Sequence, residues 1–417
     1  MRPRPALLAA AAIFVCVYIA LDFNKLYALR YGADTGTFLQ FLLNEAHNRG
    51  SWNNAEYRPH LQVHDSWALL ALVPLLAAFP FAQTLLVLQV AAIAAGAIAL
   101  YALARVFGAT ERNAAVAGVA YLLSPSAQGI AYGNFLENVF VPVIAVLGAL
   151  AARRRALLAT VLCAQVLLGL KEDEALFLCW FGVACALWWD RRIGIAVSVL
   201  AAANGAAFVL YERFAGVHPS IPAYALHVDD PLVKAAFFLA LIAPFGFAPL
   251  WLGKRLLLAL PLVAELTFNR PWTYPVARIG THWTAPVFAA AAIASAYVVA
   301  KRPRTAIPML VMAILCALTI NDTVLKIGRW PFIVDSHAYA AAAALRESGR
   351  AGFIRRADEG VYAVAGANPH AELERRRSNE AGYCPAYDTD ARAFFASLHM
   401  GAWPKGVTLC KGVPVYK

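Results

Sequence analysis

The chain has 417 residues, 61% hydrophobic and 15% charged, with a net charge of +11 and a mean hydropathy of +0.59. A soluble domain carries about 45–50% apolar and about 25% charged residues, so this composition excludes an ordinary soluble protein and describes an integral membrane protein. Much of the positive charge sits in short loops between apolar segments, where it is an orientation signal rather than a surface for nucleic acid.

Arg2-Pro3-Arg4 precedes an apolar run over 6–21 in the manner of a signal sequence. Asp22-Phe23-Asn24-Lys25 follows where a cleavage site would stand, so the segment reads as a retained first helix that starts in the cytoplasm. Crossing hydrocarbon takes about 20 largely apolar residues. Candidate spans fall at 6–24, 83–104, 113–131, 137–152, 156–170, 174–189, 193–211, 233–252, 255–268, 283–300 and 305–321. That is about eleven, which carries the C-terminus to the opposite side from the N-terminus.

Basic groups alternate with the other polar groups along these segments. Arg2/Arg4, Arg105/Arg112, Arg153-Arg154-Arg155, Arg191/Arg192, Lys254/Arg255 and Lys301/Arg302/Arg304 mark a cytoplasmic side. Asp34, His60, His64, Asp65, Glu137, Lys171-Glu172-Asp173-Glu174, His218, His227, Asp229, Asp230, Arg278 and His282 fall on the other.

The first outer loop is long, about 25–82. Within it, 34–48 reads as an amphipathic helix with Phe38, Phe41, Leu42 and Glu45 at helical spacing. The apolar stretch 67–79 is too short to cross and is read as a re-entrant or interfacial helix. The fold expected is an all-α polytopic transmembrane domain over 1–330 and a small soluble α+β domain over 331–417. In that tail a helix is expected near 338–348, with strands at 361–364 and 412–416. Cys16, Cys163, Cys179, Cys185 and Cys316 lie in apolar segments, whereas Cys384 and Cys410 lie in the tail and can pair in an oxidising compartment.

Four groups of residues carry chemistry. Asp34 lies between Gly32 and Gly36, which leave room for close approach, although an acid before a helix also suits an N-cap. His60 and His64 stand at i and i+4 beside Asp65, a spacing that fits hydrogen bonding, phosphate contact or a metal. Glu137 and the quartet Lys171-Glu172-Asp173-Glu174 crowd the outer ends of neighbouring spans, where ionisable residues mark a site more often than orientation. Arg270, Arg278 and His282 are cations placed against the loop bias, suited to a phosphate.

In this order the groups resemble the DUF2079 family of bacterial membrane proteins and, more distantly, the GT-C superfamily of glycosyltransferases. The matching pieces are Tyr31 to Phe38, His64 before an apolar stretch, Leu170-Lys171-Glu172-Asp173-Glu174, Thr281-His282-Trp283 and, in the tail, Asn368-Pro369-His370. Asn134-Phe135-Leu136-Glu137 stands where a His-containing segment is usual, and Trp283 stands where Tyr is common.

The resemblance implies a multi-pass protein of the bacterial inner membrane with an extracytoplasmic tail. It also implies a polyprenyl-phosphate-linked sugar as donor, Asp34 as catalytic carboxylate, and no nucleic acid. On that reading Arg278, His282 and Lys171 meet the phosphate, while His60, His64, Asp65, Glu137, Glu172 and Asp173 line the sugar or acceptor site. A divalent metal stays open. A transporter or lipid flippase would need polar residues at mid-membrane depth, where few stand beyond Gln89, Gln165 and Asn204 and no charges pair, and a non-catalytic scaffold would leave Asp34 dispensable.

Overall fold

The computed structural model describes residues 4–215, 231–259, 280, 284–320, 332–355, 358–373, 407–410 and 413–416. The protein is mostly helical. In chain order the helices are α1 (Pro5–Tyr27), α2 (Ala33–Ala46), α3 (Val73–Ala78), α4 (Ala82–Val106), α5 (Glu111–Leu123), α6 (Pro125–Tyr132), α7 (Val141–Arg153), α8 (Leu157–Leu168) and α9 (Glu174–Trp188). They continue as α10 (Arg191–Ala215), α11 (Pro231–Ile242), α12 (Ala285–Lys301), α13 (Ala306–Thr319), α14 (Ser336–Ser348) and α15 (Glu359–Ala365).

Local chemistry sets several boundaries. Pro5 opens α1, where its missing N–H costs nothing. The Thr110 side chain accepts from Asn113 N–H at the start of α5. Ser124 is extended ahead of Pro125, so the expected span 113–131 is two helices bent by 49°.

Three helical stretches are long and apolar enough to cross a membrane: Pro5–Tyr27, Ala82–Val106 and Arg191–Tyr211. Among the described residues the number rises to five if each bent pair is one span. Where spans were expected at 137–152, 156–170, 174–189, 283–300 and 305–321, the helices run for only 12 to 17 residues. The expected span 233–252 turns through 117° instead of running straight. At that turn Gly246 has φ +59, and a Cβ there would stand 2.8 Å from Met309 N, so both the conformation and the packing call for glycine. The rest of the span expected at 255–268 lies outside the described residues beyond Ala259.

Small side chains fill the centre: Ala97, Ala114, Ala117, Ala120, Ala289, Ala292 and Ala296 are all 0% exposed. They let α4, α5 and α12 approach closely, the usual means of packing helices where lipid supplies no hydrophobic drive.

The bundle has two chemically distinct ends. At one, Arg4 pairs with Glu111 at 3.8 Å and Arg155 with Asp190 at 4.0 Å, while Phe107 touches Trp189 and Tyr297. At the other, Lys25 Nζ donates to Tyr132 O at 2.8 Å and lies over the Tyr31 ring. Asp22, at the end of the first apolar run, is fully buried there and accepts from Tyr31 Oη at 2.8 Å.

The expected tail helix is α14, capped by Asp335 and ended by Gly349 in the left-handed region. The expected strand at 361–364 is instead helix α15, because Tyr362 and Ala363 to Ala365 pack inward on a helical face. Gly352–Ile354 pairs in parallel with Ala371–Leu373, and Val407–Cys410 pairs antiparallel with Val413–Tyr416. Cys384 lies outside the described residues, so the Cys384–Cys410 pairing does too.

Candidate functional site

The end carrying Tyr31 and Tyr132 also carries most of the singled-out residues. Asp34 is the second residue of α2, and Gly32, not Asp34, is its N-cap. The carboxylate therefore sits in the first helical turn, where a negative charge meets the favourable end of the helix dipole. Asn134 clamps this turn with both ends of its amide. Its Oδ1 accepts from Gly32 N–H at 3.0 Å, and its Nδ2 donates to Asp34 Oδ2 at 2.9 Å. Phe135 N–H donates to Thr35 Oγ1 at 3.1 Å in the same turn. Asp34 stays half-buried while residues 35–44 of the same helix are buried all round.

That burial departs from the amphipathic helix expected at 34–48. The polar face of α2 is covered by the tail and by the strand pair Trp52–Asn53/Arg58–Pro59. Gln40 Nε2 donates to Asn368 O and Ala371 O at 3.0 and 3.2 Å, and its Oε1 accepts from Tyr362 Oη at 2.9 Å. Asn54 Nδ2 donates to Pro369 O and Ala371 O at 2.8 and 2.9 Å. The Asn368-Pro369-His370 segment is thus a docking loop for the first loop of the membrane domain.

Three residues beyond Asn134 stands Glu137, no more than about 11 Å further along the backbone. Its Oε1 lies 3.9 Å from Lys171 Nζ, which is also 3.5 Å from Asp173 Oδ2. Lys171 is 6% exposed and Glu137 2%, so this is an interior ion cluster. Burial works against the Lys171 charge, but the carboxylates of Asp173, Glu137, Glu172 and Glu174 outweigh it and hold the ammonium above its usual range.

Glu172 turns the other way. Its Oε1 meets His64 Nδ1 at 3.1 Å, and its Oε2 accepts from Asp65 N–H at 3.3 Å. Burial opposes its charge, yet the His64 hydrogen bond and charge, helped by Lys171, hold it at about 2. Burial likewise disfavours the His64 imidazolium, and Glu172 reverses this and raises its pKa. Asp65 is pushed up to about 6 by burial and by the Glu172 charge.

His60 and His64 do lie together, with ring centroids 5.6 Å apart and His64 N–H bonded to His60 O at 3.0 Å. The carrier is one short 3-10 turn rather than an α-helix. His60 is 0% exposed, in ring contact with Phe38 and Phe41, and its Nδ1 meets Glu56 at 2.9 Å. It supports the loop from inside, out of reach of a substrate in this arrangement. Among the described residues no group of three His, Cys, Asp or Glu side chains is placed to hold a metal.

The structure therefore brings Asp34, His60, His64, Asp65, Glu137, Lys171, Glu172 and Asp173 to one end of the bundle. Of these, the members with reachable side chains are Asp34, His64 at 25%, Asp65, Asp173 at 26% and Glu172 at 10%. Arg278 and His282 lie outside the described residues, as do Arg270, His218, His227, Asp229 and Asp230.

Sequence reasoning missed Asn134 as the partner of Asp34, although its place next to Glu137 was a signal. It also missed Glu359, whose Oε2 accepts from Ala33 N–H at 3.2 Å, and nothing local in the sequence points to that contact.

Residues 25–221 match the family described as predicted membrane protein (DUF2079). This DUF2079 segment contains Asp34, its Asn134 clamp, both histidines and the whole Lys171–Glu137–Glu172 cluster, and leaves the docked tail outside. A comparison with curated proteins finds no match.

Proposed function

We propose that this protein is an integral membrane glycosyltransferase of GT-C type. In this reading it transfers a sugar from a polyprenyl-phosphate donor to an acceptor hydroxyl at the end of the bundle that bears Asp34. The basic end faces the cytoplasm of an inner membrane, about eleven segments lie between the faces, and the tail is extracytoplasmic.

The observation that carries the reading is the Asp34 carboxylate. It is half-buried in the first turn of a buried helix and accepts from the Asn134 amide, beside a cluster of interlocked charges. Asp34 takes the proton of the acceptor hydroxyl as its oxygen attacks the anomeric carbon. The bond from that carbon to the phosphate oxygen breaks, and the polyprenyl phosphate leaves with the electron pair. Arg278 and His282 are the proposed cations for that phosphate. Lys171, already engaged by Glu137 and Asp173, instead fixes the loop that bears Glu172. His64 and Glu172 meet the sugar or acceptor.

Gln89, one of the polar residues a transporter would use, donates to Ala131 O and Gly133 O at 2.8 and 3.1 Å, so it secures the end of α6. That structural employment removes Gln89 from a transport path.

The test is Asp34→Asn, which keeps an acceptor for Asn134 and the size of the side chain. Transfer of labelled sugar from polyprenyl-phosphate-linked hexoses, measured on purified protein, should fall by about 10²–10⁴. Thermal stability should stay within about 0.5 kcal/mol. Undiminished transfer, or loss of folding in step with activity, would sink the proposal.

A further inference from the structure

A cavity of about 550 Å³ runs along α9 from Phe177 to Trp189 and reaches the basic end. Phe177 on its wall lies one turn of α9 from Glu174, whereas Trp188, at the other end of the wall, lies about 21 Å from Glu174 along the helix axis. The wall is apolar and aromatic, with Phe177, Trp180, Phe181, Phe238, Val287 and Ala294 among its residues. Its size falls in the range of ligand pockets, about 300–1,000 Å³.

One charged side chain enters this wall. Arg255 donates to Tyr297 Oη at 2.7 Å, and its guanidinium lies 5.3 Å from the Trp188 ring centre and 5.4 Å from that of Tyr297. It has no carboxylate partner among the described residues. Lys254 is exposed beside it, and Arg302 stands 4.6 Å over the Trp251 ring. Trp188 on the cavity wall is 38% exposed, and Trp251, between the wall residues Leu250 and Leu252 in the chain, is 56% exposed, as aromatic residues are at a membrane interface.

A hydrocarbon-lined chamber walled by amphipathic aromatics and by Arg255, which no carboxylate of the described residues neutralises, complements a molecule with an apolar chain and an anionic head. We propose that this cavity binds an anionic glycerophospholipid of the bilayer, with an acyl chain among Phe181, Phe238 and Ala294 and its phosphate on Arg255, Lys254 and Arg302. The guanidinium offers paired donors to the phosphate, and its stacking on Trp188 and Tyr297 holds the fork in place. The headgroup position at Arg255 and Trp188 stands at the opposite end of α9 from the Lys171 group, so this is a structural or regulatory lipid site separate from the proposed donor site.

Sugar transfer is not the readout, so the test does not depend on the glycosyltransferase reading. The purified full-length chain in detergent is stripped of lipid, then offered dioleoylphosphatidylglycerol or dioleoylphosphatidylcholine, and retained lipid is counted by native mass spectrometry. The phosphatidylglycerol should be retained at least about fivefold better, as expected for one cation facing an anionic headgroup. Arg255→Gln should abolish that preference, and Ala294→Trp, which fills the chamber, should lower retention of both lipids. Should Arg255→Gln fail to fold, the pair Lys254→Gln and Arg302→Gln carries the same expectation from the exposed rim. Equal retention of the two lipids overturns the proposal. So does full retention by a folded Ala294→Trp chain, or displacement of the phosphatidylglycerol by an equimolar polyprenyl phosphate.

Discussion

Glu359 and Ala33 are 326 residues apart in the chain, yet the Glu359 carboxylate accepts the Ala33 N–H at 3.2 Å. The tail thereby caps the helix that presents Asp34. Gly32 supplies no side chain for that purpose, so the free N–H groups of this helix end are met from elsewhere. Glu359→Ala should destabilise the protein by about 0.5–2 kcal/mol, the usual size of a lost N-terminal cap. Glu359→Gln, which keeps an acceptor, should cost much less. Thermal unfolding of the two variants in detergent checks this, and equal losses would show that the carboxylate acts in another way.

Gly36 forms the floor on which the tail sits. A Cβ at this position would come within 2.4 Å of Tyr362 O and 2.6 Å of Tyr362 Cδ1. The nearer atom belongs to the backbone, so no rotamer change relieves the clash. Gly36→Ala should therefore cost about 1–3 kcal/mol by overpacking. It should also loosen the tail before the bundle, so trypsin should cleave after the exposed Arg350 faster than in the wild type. An unchanged cleavage rate would contradict this contact.

Lys171 is enclosed with acids and little water. Lys171→Met leaves Glu137 without its cation, and breaking a buried pair in this way costs about 3–5 kcal/mol. Adding Glu137→Gln removes the stranded charge and should recover much of the loss. Thermal melting of the single and double variants decides it, because simple additivity would mean the two residues do not interact.

The His64–Glu172 pair should give stability a pH dependence with a definite sign. His64 has a folded pKa above its ordinary 6.5, so its contribution is complete below 6.5 and is lost as pH rises through the higher folded value. Glu172, held at about 2, contributes fully above its ordinary 4.5 and loses this as pH falls toward 2. Asp65, pushed up to about 6, lowers stability as pH rises from 3.8 to 6 and is then constant. Between pH 6.5 and 9 the histidine acts alone among these three. The wild-type melting temperature should fall across that window, and His64→Gln should flatten the curve. A slope that persists in the variant would assign the effect to another group.

Much of the two-ended layout was legible in the sequence, because charged side chains avoid hydrocarbon whatever the fold does around them. The alternation of basic and mixed polar loops anticipated that His64, Glu172 and Lys171 would gather at one end, away from Arg155. Helix positions followed from apolar run length, and the re-entrant 67–79 stretch is a 3-10 turn (Trp67–Leu72) followed by the short α3. Only tertiary structure decided what covers each face. The polar side of α2, with Thr37, Gln40 and Asn44, reads as solvent-exposed by its period, but the tail supplies backbone carbonyls that satisfy Gln40 in the interior. Residues 361–364 read as a strand from their β-branched and aromatic content, and became a helix because Tyr362 packs against Gly36 from a helical face. The pairing of Asp34 with Asn134 spans 100 residues, and that with Glu359 on the same helix end spans more than 300. Periodicity reports only which way a side chain faces within its own segment. The partner it meets there is set by packing between segments, which no local pattern encodes.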